Sequence, residues 1–377
     1  MTTPFVEVEH GGLSCTIQDC GRRGLRRIGI PWAGALVPHW MSLANALVGN
    51  ALDSPVLECF ESGLTLKTGD TAVRIAVVGD ADIWLEPLHD GPHTPTARSL
   101  PAWRSHQIPP DTRIRIRSSG AWRVTVLSIS GIALQPHYGS AATYARAALG
   151  GLNGKPLQAG DKIPLANVDQ AQTEKPDLQC TPHPEIAGSQ VDTEPAAQQN
   201  QQETPPVIDL RAVPGPQEDA FTTAGLTCFF SCDFILTEEA DRMGARLQGP
   251  TIEHASKAAR DIVTDAIIPG SVQVPGSGQP IAMLADAHTA GGYPKIATII
   301  SCDLPKLALC RSGQRFHFVS VDVDEAVNLA RDAQQTLADI LAGIVPVGDA
   351  YVDSAALFQQ NLIGGIFDAQ HVDWRDD

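Results

Sequence analysis

Apolar and polar positions alternate in short runs along most of this chain. Thr112-Arg-Ile-Arg-Ile-Arg117 alternates strictly, and Trp122-Arg-Val-Thr-Val126 follows it. Val73-Arg-Ile-Ala-Val-Val78 and Ile83-Trp-Leu85 are bounded by Gly, Asp or Pro, and all four runs predict strands. One helix interrupts them: Trp40, Leu43, Ala44, Leu47 and Val48 recur at helical spacing, and Gly49 is placed to end it. The second half repeats the style. Val207–Leu210, Ser271–Val274, Ile281–Leu284, Ala297–Ile300 and Phe316–Val323 predict strands. Asp324 is then expected to cap a long helix carrying Ala330, Ala333, Leu337, Ile340, Leu341 and Ile344 on one face. Similar turns at Thr68-Gly-Asp70, Ala159-Gly-Asp161 and Ser312-Gly-Gln314 hint at two related units.

Composition sharpens this picture. Gly (33) and Pro (28) are too frequent for a helical bundle and suit many short strands. Between the halves, Ala166 to Pro206 has no Phe, Trp or Tyr and a single Lys, Lys175, amid Gln, Pro, Glu and Asp. Such a stretch buries too little apolar area to offset its ordering entropy, which predicts a flexible linker. The expected fold is mainly β with a few helices, as tandem β-barrel-like domains. The expected domains are 1–165, a linker at 166–206, a second unit at 207–323, and a C-terminal helix and tail at 324–377. Leu357-Phe358 and Leu362 to Phe367 are read as apolar core in that tail, with a docking segment as the alternative.

With 27 basic and 43 acidic residues in 377, the net charge of −16 argues against nucleic acid as a partner. No apolar run is long enough to predict a membrane span, and the first residues carry no secretory pattern. The eight Cys form no CxxC pair, which fits reduced thiols and a cytoplasmic protein.

Several chemistries have no signature here. HExxH, GxSxG and GxGxxG are absent, and the His residues lack metal-ligand spacing, so no metal is expected. The run Gly151-Leu-Asn-Gly154-Lys155-Pro156 resembles a phosphate loop but has Pro where Ser or Thr must meet magnesium. No Met-Lys-Met is present, so no covalently attached biotin is expected on this chain.

Two regions pack Gly, Pro and polar residues too densely for ordinary strands. One runs from Thr16 through Gly34 and Asn45 to Glu58; the other spans Ala240 to Pro250, Gln273 to Pro280 and Ala285 to Lys295. Gly291-Gly292-Tyr293-Pro294-Lys295 lets backbone approach a ligand and aims an aromatic ring and an ammonium at it. Tight barrel corners, with polar side chains satisfying buried backbone, explain the same composition. The residues alone leave both readings open.

These stretches resemble the biotin-dependent carboxyltransferase-like family. That family includes the C subunit of 5-oxoprolinase (KipA-like, allophanate hydrolase subunit 2-related) and the carboxyltransferase part of urea carboxylase. The motifs carrying the resemblance are Gln18-Asp19-x-Gly21-Arg22, Ala44-Asn45-x-Leu47-Val48-Gly49-Asn50, Gly150-Gly151, Gly160-Asp161, Gly215-Pro216-Gln217, Asp241-Arg242-Met243-Gly244, Gln273-Val274-Pro275 and Gly291-Gly292-Tyr293-Pro294. The resemblance implies cyclophilin-like barrels in tandem. It implies two partners, the KipI-like B subunit and the A subunit of a 5-oxoprolinase-type complex. ATP would be shared among the subunits, and the substrate would be a small amide or lactam. Opening 5-oxoproline to glutamate is the implied reaction; carboxyl transfer in a biotin-dependent urea or amide carboxylase, or a non-catalytic regulatory role, are the alternatives.

Either reaction needs hydrogen bonds to an amide, a cation facing a developing oxyanion and a proton acceptor. Gln273 and Gln279 suit the amide. Lys295 or Arg242 suits the oxyanion, and Asp286, Asp241 or Tyr293 the proton; Asp241–Arg242 as a structural ion pair is the competing reading. Asn45, His288, Gly291 and Gly292 complete the expected binding set.

The chain also departs from the family pattern. Val37 stands where Asp is usual, Ala141 and Ala287 where Arg is usual, and Ala240 where Ser is usual. His288 replaces Gln and adds a group that titrates near neutrality. These losses leave open a divergent substrate or a non-catalytic role.

Overall fold

The computed structural model describes residues 4–61, 63–88, 97–120, 122–166, 176–181 and 206–347. The apolar tail from Leu357 to Phe367 and most of the expected linker lie outside them.

The first unit is two sheets packed face to face. One has the order Lys162–Pro164, Phe5–His10, Leu64–Thr68, Thr112–Ser118, Ala81–Pro87, Arg98–Leu100. The other runs Cys15–Gln18, Val56–Phe60, Val124–Ile129, Val73–Val78, Arg104–Ile108, Leu178–Gln179, Val345–Pro346. Alternation decides which face is buried. In the first sheet Val6, Val8, Leu64, Leu66, Ile114 and Ile116 turn inward onto Ile17, Leu57, Ile75, Val77 and Leu127 of the second.

The second sheet is buried on both faces, which explains its unbroken apolar runs. Its other face, with Ala76, Val78, Val124 and Val126, meets helix α1 (Pro38–Val48) through Trp40, Leu43, Ala44 and Leu47. Gly49 ends α1 in the left-handed region at φ 78°, as its position predicts.

The second unit is a closed barrel of seven strands, ordered Ile208–Pro214, Lys295–Ile299, Ser271–Gln273, Ile281–Met283, Gly244–Gln248, Asp233–Ala240, Arg315–Ser320. Ile208–Pro214 and Arg315–Ser320 close it as a parallel pair; the other pairings are antiparallel. Helix α2 (Thr223–Ser231) plugs it with Phe229, stacked on Phe318 with ring centroids 4.3 Å apart. Leu304–Leu309 forms the short helix α3.

Two sequence expectations shift. The last helix, α4 (Val323–Ala342), is capped by Asp322 rather than Asp324: the Asp322 side chain accepts from the Glu325 amide at 2.8 Å. A cap acts on the amide three residues on, so Val323 opens the helix instead of closing the strand. Within the expected linker, Leu178–Gln179 pairs with Arg104 and with Val345–Pro346. Arg74 meets Asp177 at 2.9 Å, and Cys180 is buried.

The core under α1 continues without a break into the barrel, joining Trp40 and Trp122 to Phe229, Phe234 and Phe318. Polar contacts reinforce the junction. Arg123 donates its backbone N–H to Leu309 O and its Nε to Ala308 O, each at 2.9 Å.

Candidate functional site

A cleft of about 570 Å³ opens against the outer face of the barrel, where Gln273, Ile281, Met283 and Arg246 alternate with the inward-facing Val272, Ala282, Ala245 and Leu247. The barrel contributes Glu238, Asp241, Met243, Gln273, Met283, His288, Gly291, Gly292 and Tyr293 to its lining, and Arg146 comes from the first unit. Gly291 allows the wall to be this thin. A Cβ there would sit 2.4 Å from Ile267 Cδ1 and 2.9 Å from Gln273 Nε2. Gly291 also pairs with Asp265 in a two-stranded ribbon of Asp265–Ala266 and Ala290–Gly291.

Gln273 is buried in the wall and donates Nε2 to Tyr293 O at 3.2 Å. Its Oε1 accepts no hydrogen bond among the described residues. Tyr293 is exposed. Asp241 accepts from the Met243 amide at 2.7 Å and the Gly244 amide at 3.2 Å, which folds the loop and fixes the carboxylate at the rim. Burial, with Arg26 and Arg146 nearby, lowers the pKa of His288 below the ordinary imidazole range, so its ring is neutral at pH 7.

Behind the cleft lies a buried ionic triad. Arg242 grips Asp286 with two bonds of 3.1 Å and also pairs with Glu58 and Gly34 O of the first unit. Burial pushes the Glu58 and Asp286 carboxyls upward against the pull of Arg242. Desolvation works against the Arg242 cation, but the two carboxylates outweigh it and its pKa is raised. Arg26 crosses the same junction, donating to Ile267 O, to Ala287 O at 3.3 Å and to His288 O at 2.7 Å.

The cleft therefore gathers Asp241, Gln273, His288, Gly291, Gly292 and Tyr293 from the sequence-based set. The others stand elsewhere. Lys295 is buried, with Nζ 2.5 Å from Asp265 and 3.0 Å from Ala266 O, outside the cleft lining. Gln279 spends both ends of its side-chain amide on the protein's own backbone: it accepts from Gly249 N at 2.8 Å and donates to Gly249 O at 3.1 Å. It lines a neighbouring cleft of about 620 Å³ that shares Glu238, Glu239, Arg246 and Ile281 with the first. Asn45 ties α1 to its following loop, donating to Ser54 O at 2.7 Å and accepting from Ser128 Oγ at 2.6 Å. Arg242 and Asp286 do form a structural ion pair; Asp241, the sequence neighbour, does not join it.

Val37, Ala141 and Ala287 are buried at 0 %, 3 % and 0 % exposure, and none lines the cleft. The phosphate-loop look-alike is a tight corner. Cβ atoms at Gly151 and Gly154 would sit 2.3 Å from Thr143 Oγ1 and 2.0 Å from Ala148 C, so those glycines accommodate the chain's own atoms. Among the described residues no group of three or more metal-ligating side chains forms, and no helix is long and apolar enough to cross a membrane.

Sequence reasoning missed Arg146 and Glu58. Arg146 lies in an Ala-rich stretch with no motif around it. Glu58 had a signal, a charge inside the apolar run Val56–Phe60.

Comparison with known proteins agrees with this architecture. The chain is 35% identical over 318 residues to the 5-oxoprolinase C subunit of Haemophilus influenzae, covering 84% of this chain and 91% of the relative. It is 29% identical over 334 residues to the Escherichia coli protein of that name, covering 88% and 96%. The crystal structure of TTHA0988 superposes with a TM-score of 0.65 at 28% identity, over 85% of this chain and 56% of that one. The Kluyveromyces lactis urea carboxylase shares the fold at a TM-score of 0.73 and 24% identity, over 90% of this chain and 29% of that one. A family model described as carboxyltransferase domain, subdomain A and B, matches residues 28–320. The chain belongs to that carboxyltransferase family.

Proposed function

We propose that this chain is the C-type component of an ATP-dependent 5-oxoprolinase complex and that its barrel cleft binds the lactam. The observation that carries this reading is the convergence, in one cleft, of Gln273, neutral His288 and Tyr293 with Arg146 from the other unit. The relatives named as the C subunit of 5-oxoprolinase, matched over most of both chains, support it.

A lactam presents an N–H donor and a carbonyl acceptor side by side. Gln273 Oε1 accepts from the lactam N–H, with its Nε2 anchored on Tyr293 O so that the amide cannot rotate. Opening the ring breaks the C–N bond and adds water, so the nitrogen must gain a proton as the water loses one. His288, neutral at pH 7, accepts a proton, and Tyr293 carries an exposed hydroxyl that donates one.

The cleft does not fit a nucleoside triphosphate. Its lining holds Glu238, Glu239 and Asp241 as well as cations, and Arg246 is paired with Glu239 at 2.8 Å. The corner at Gly151–Gly154 is filled by Thr143 and Ala148 of the chain itself. In this reading ATP is shared with the partners in the complex, the KipI-like B subunit and the A subunit, and the cleft of this chain takes the lactam.

The test is to co-purify the chain with its partners and measure glutamate from 5-oxoproline with and without ATP. ATP-dependent glutamate, reduced at least tenfold by Gln273→Ala, is the expected result. An intact complex that forms none, or a Gln273→Ala complex at full rate, overturns the reading. Co-purification of a biotinylated carrier would favour the amide-carboxylase reading instead.

A further inference from the structure

We infer that Arg146 is the specificity residue that selects a lactam bearing a carboxylate, its guanidinium pairing with that carboxylate from across the unit boundary. This rests on the assignment of the cleft as the lactam site.

The argument is one of elimination among the cations around the cleft. Arg242 is buried and held by Asp286, Glu58 and Gly34 O. Arg26 is committed to three carbonyls, and Arg246 to Glu239. Arg22 is buried under the first unit, donating to the carbonyls of His137, Ser140 and Ala142. Arg146 lines the cleft and has no hydrogen-bond or ion-pair partner among the described residues.

Its position is set by backbone rather than by chance. The turn Ala145–Ala147 that carries it is pinched between Tyr144 and Leu149, which pair with each other. Ala148 is left-handed at φ 49°, and Gly154 packs against it so closely that a Cβ would meet Ala148 C at 2.0 Å. A cation held ready in this way has no partner among the described residues to give up before it meets an anion.

The cleft is also polarised. The acidic residues Glu238 and Glu239 stand on the wall shared with the neighbouring cleft. At the His288 end, the charges that act on the imidazole are Arg26 and Arg146. Gln273 and His288 sit side by side against Gly291, so a ligand carrying a carboxylate beside an uncharged ring amide suits this distribution, the amide meeting Gln273 and the carboxylate turned toward Arg146. An exposed guanidinium–carboxylate pair of this kind supplies discrimination of up to about fivefold and weakens with salt.

The test compares 5-oxoproline with 2-pyrrolidinone, the same ring without the carboxylate, by calorimetric titration into the full chain, alone and in the co-purified complex. Wild type is expected to prefer 5-oxoproline by up to about fivefold at low salt. Arg146→Ala should remove that preference while leaving 2-pyrrolidinone binding unchanged, and Arg146→Lys should keep part of it. Arg146 is exposed, so both variants should retain wild-type circular dichroism. If both ligands bind, respond to Gln273→Ala and show the same preference in Arg146→Ala, the Arg146 assignment is wrong and the cleft stands. If neither ligand binds wild type in either form, the cleft assignment fails and takes Arg146 with it.

Discussion

Arg242 of the barrel and Glu58 of the first unit form an ion pair across the unit boundary, with side-chain exposures of 9 % and 1 %. Asp286 completes the group from the barrel side. Two carboxylates share one guanidinium in a buried setting, so removing the cation strands both charges. Arg242→Met is expected to destabilise the chain by about 3–5 kcal/mol. Glu58→Gln, which leaves the Arg242–Asp286 bonds in place, should cost less. Urea-unfolding midpoints of the two variants check the order.

The same group sets a pH dependence whose sign is unusual for carboxylates. Glu58 and Asp286 have folded pKa values raised by burial, so the native state holds protons that the unfolded chain has released. As pH rises from the ordinary carboxylate range through the raised values, their contribution to stability falls; above them it is flat. The stability of Glu58→Gln/Asp286→Asn relative to wild type should therefore increase with pH across that window. A decrease would show that the ionised carboxylates are the form the fold favours.

Glycines at positive φ separate into two kinds. At Gly150, φ is 73° and a Cβ would meet Ala142 O at 1.9 Å and Arg22 Nη2 at 2.3 Å; at Gly160, φ is 89° with nothing within 4 Å. Gly160→Ala carries only the left-handed penalty of about 1–2 kcal/mol. Gly150→Ala must also displace backbone, and it is expected to lower the melting temperature much further or prevent accumulation of soluble protein.

Lys295 offers a test of stability against binding. Its ammonium is held by Asp265 and Ala266 O, and its side chain does not line the cleft. Lys295→Met should lower the melting temperature while KM for 5-oxoproline in the complex stays within about twofold, since no contact to the ligand is removed. A large rise in KM with unchanged stability would place Lys295 in the binding machinery.

His288 predicts the acidic limb of the rate profile. Burial and the two arginines depress its pKa, so it remains a proton acceptor to lower pH than a free imidazole. Turnover by the complex should fall only as pH drops through that depressed value, and His288→Gln, which restores the residue usual in the family, should abolish the limb. A limb that survives the substitution belongs to another group.

Much of the fold was legible because strand periodicity is local. Val73–Val78 matches its predicted run residue for residue, and Gly49 ends α1 where its position required. The site was only half legible. Asp241 and Arg242 are neighbours in sequence, yet the two side chains do different jobs: Asp241 folds its own loop, while Arg242 finds Asp286 and Glu58. Partners 44 and 184 residues away leave no trace in local pattern. Lys295 shares a motif with Tyr293, but only the tertiary fold shows that Asp265 neutralises it. Arg146 was silent for a related reason, because its importance lies in having no partner among the described residues.

The apolar packing that runs from Trp40 to Phe318 bears on how this chain can be handled in the laboratory. A protease nick or an engineered split between the halves would not release two autonomous pieces. Each fragment would carry one bared side of a shared interior, and the pair should reassociate by complementation or precipitate. Calorimetry of the uncut chain should accordingly show one endotherm rather than two.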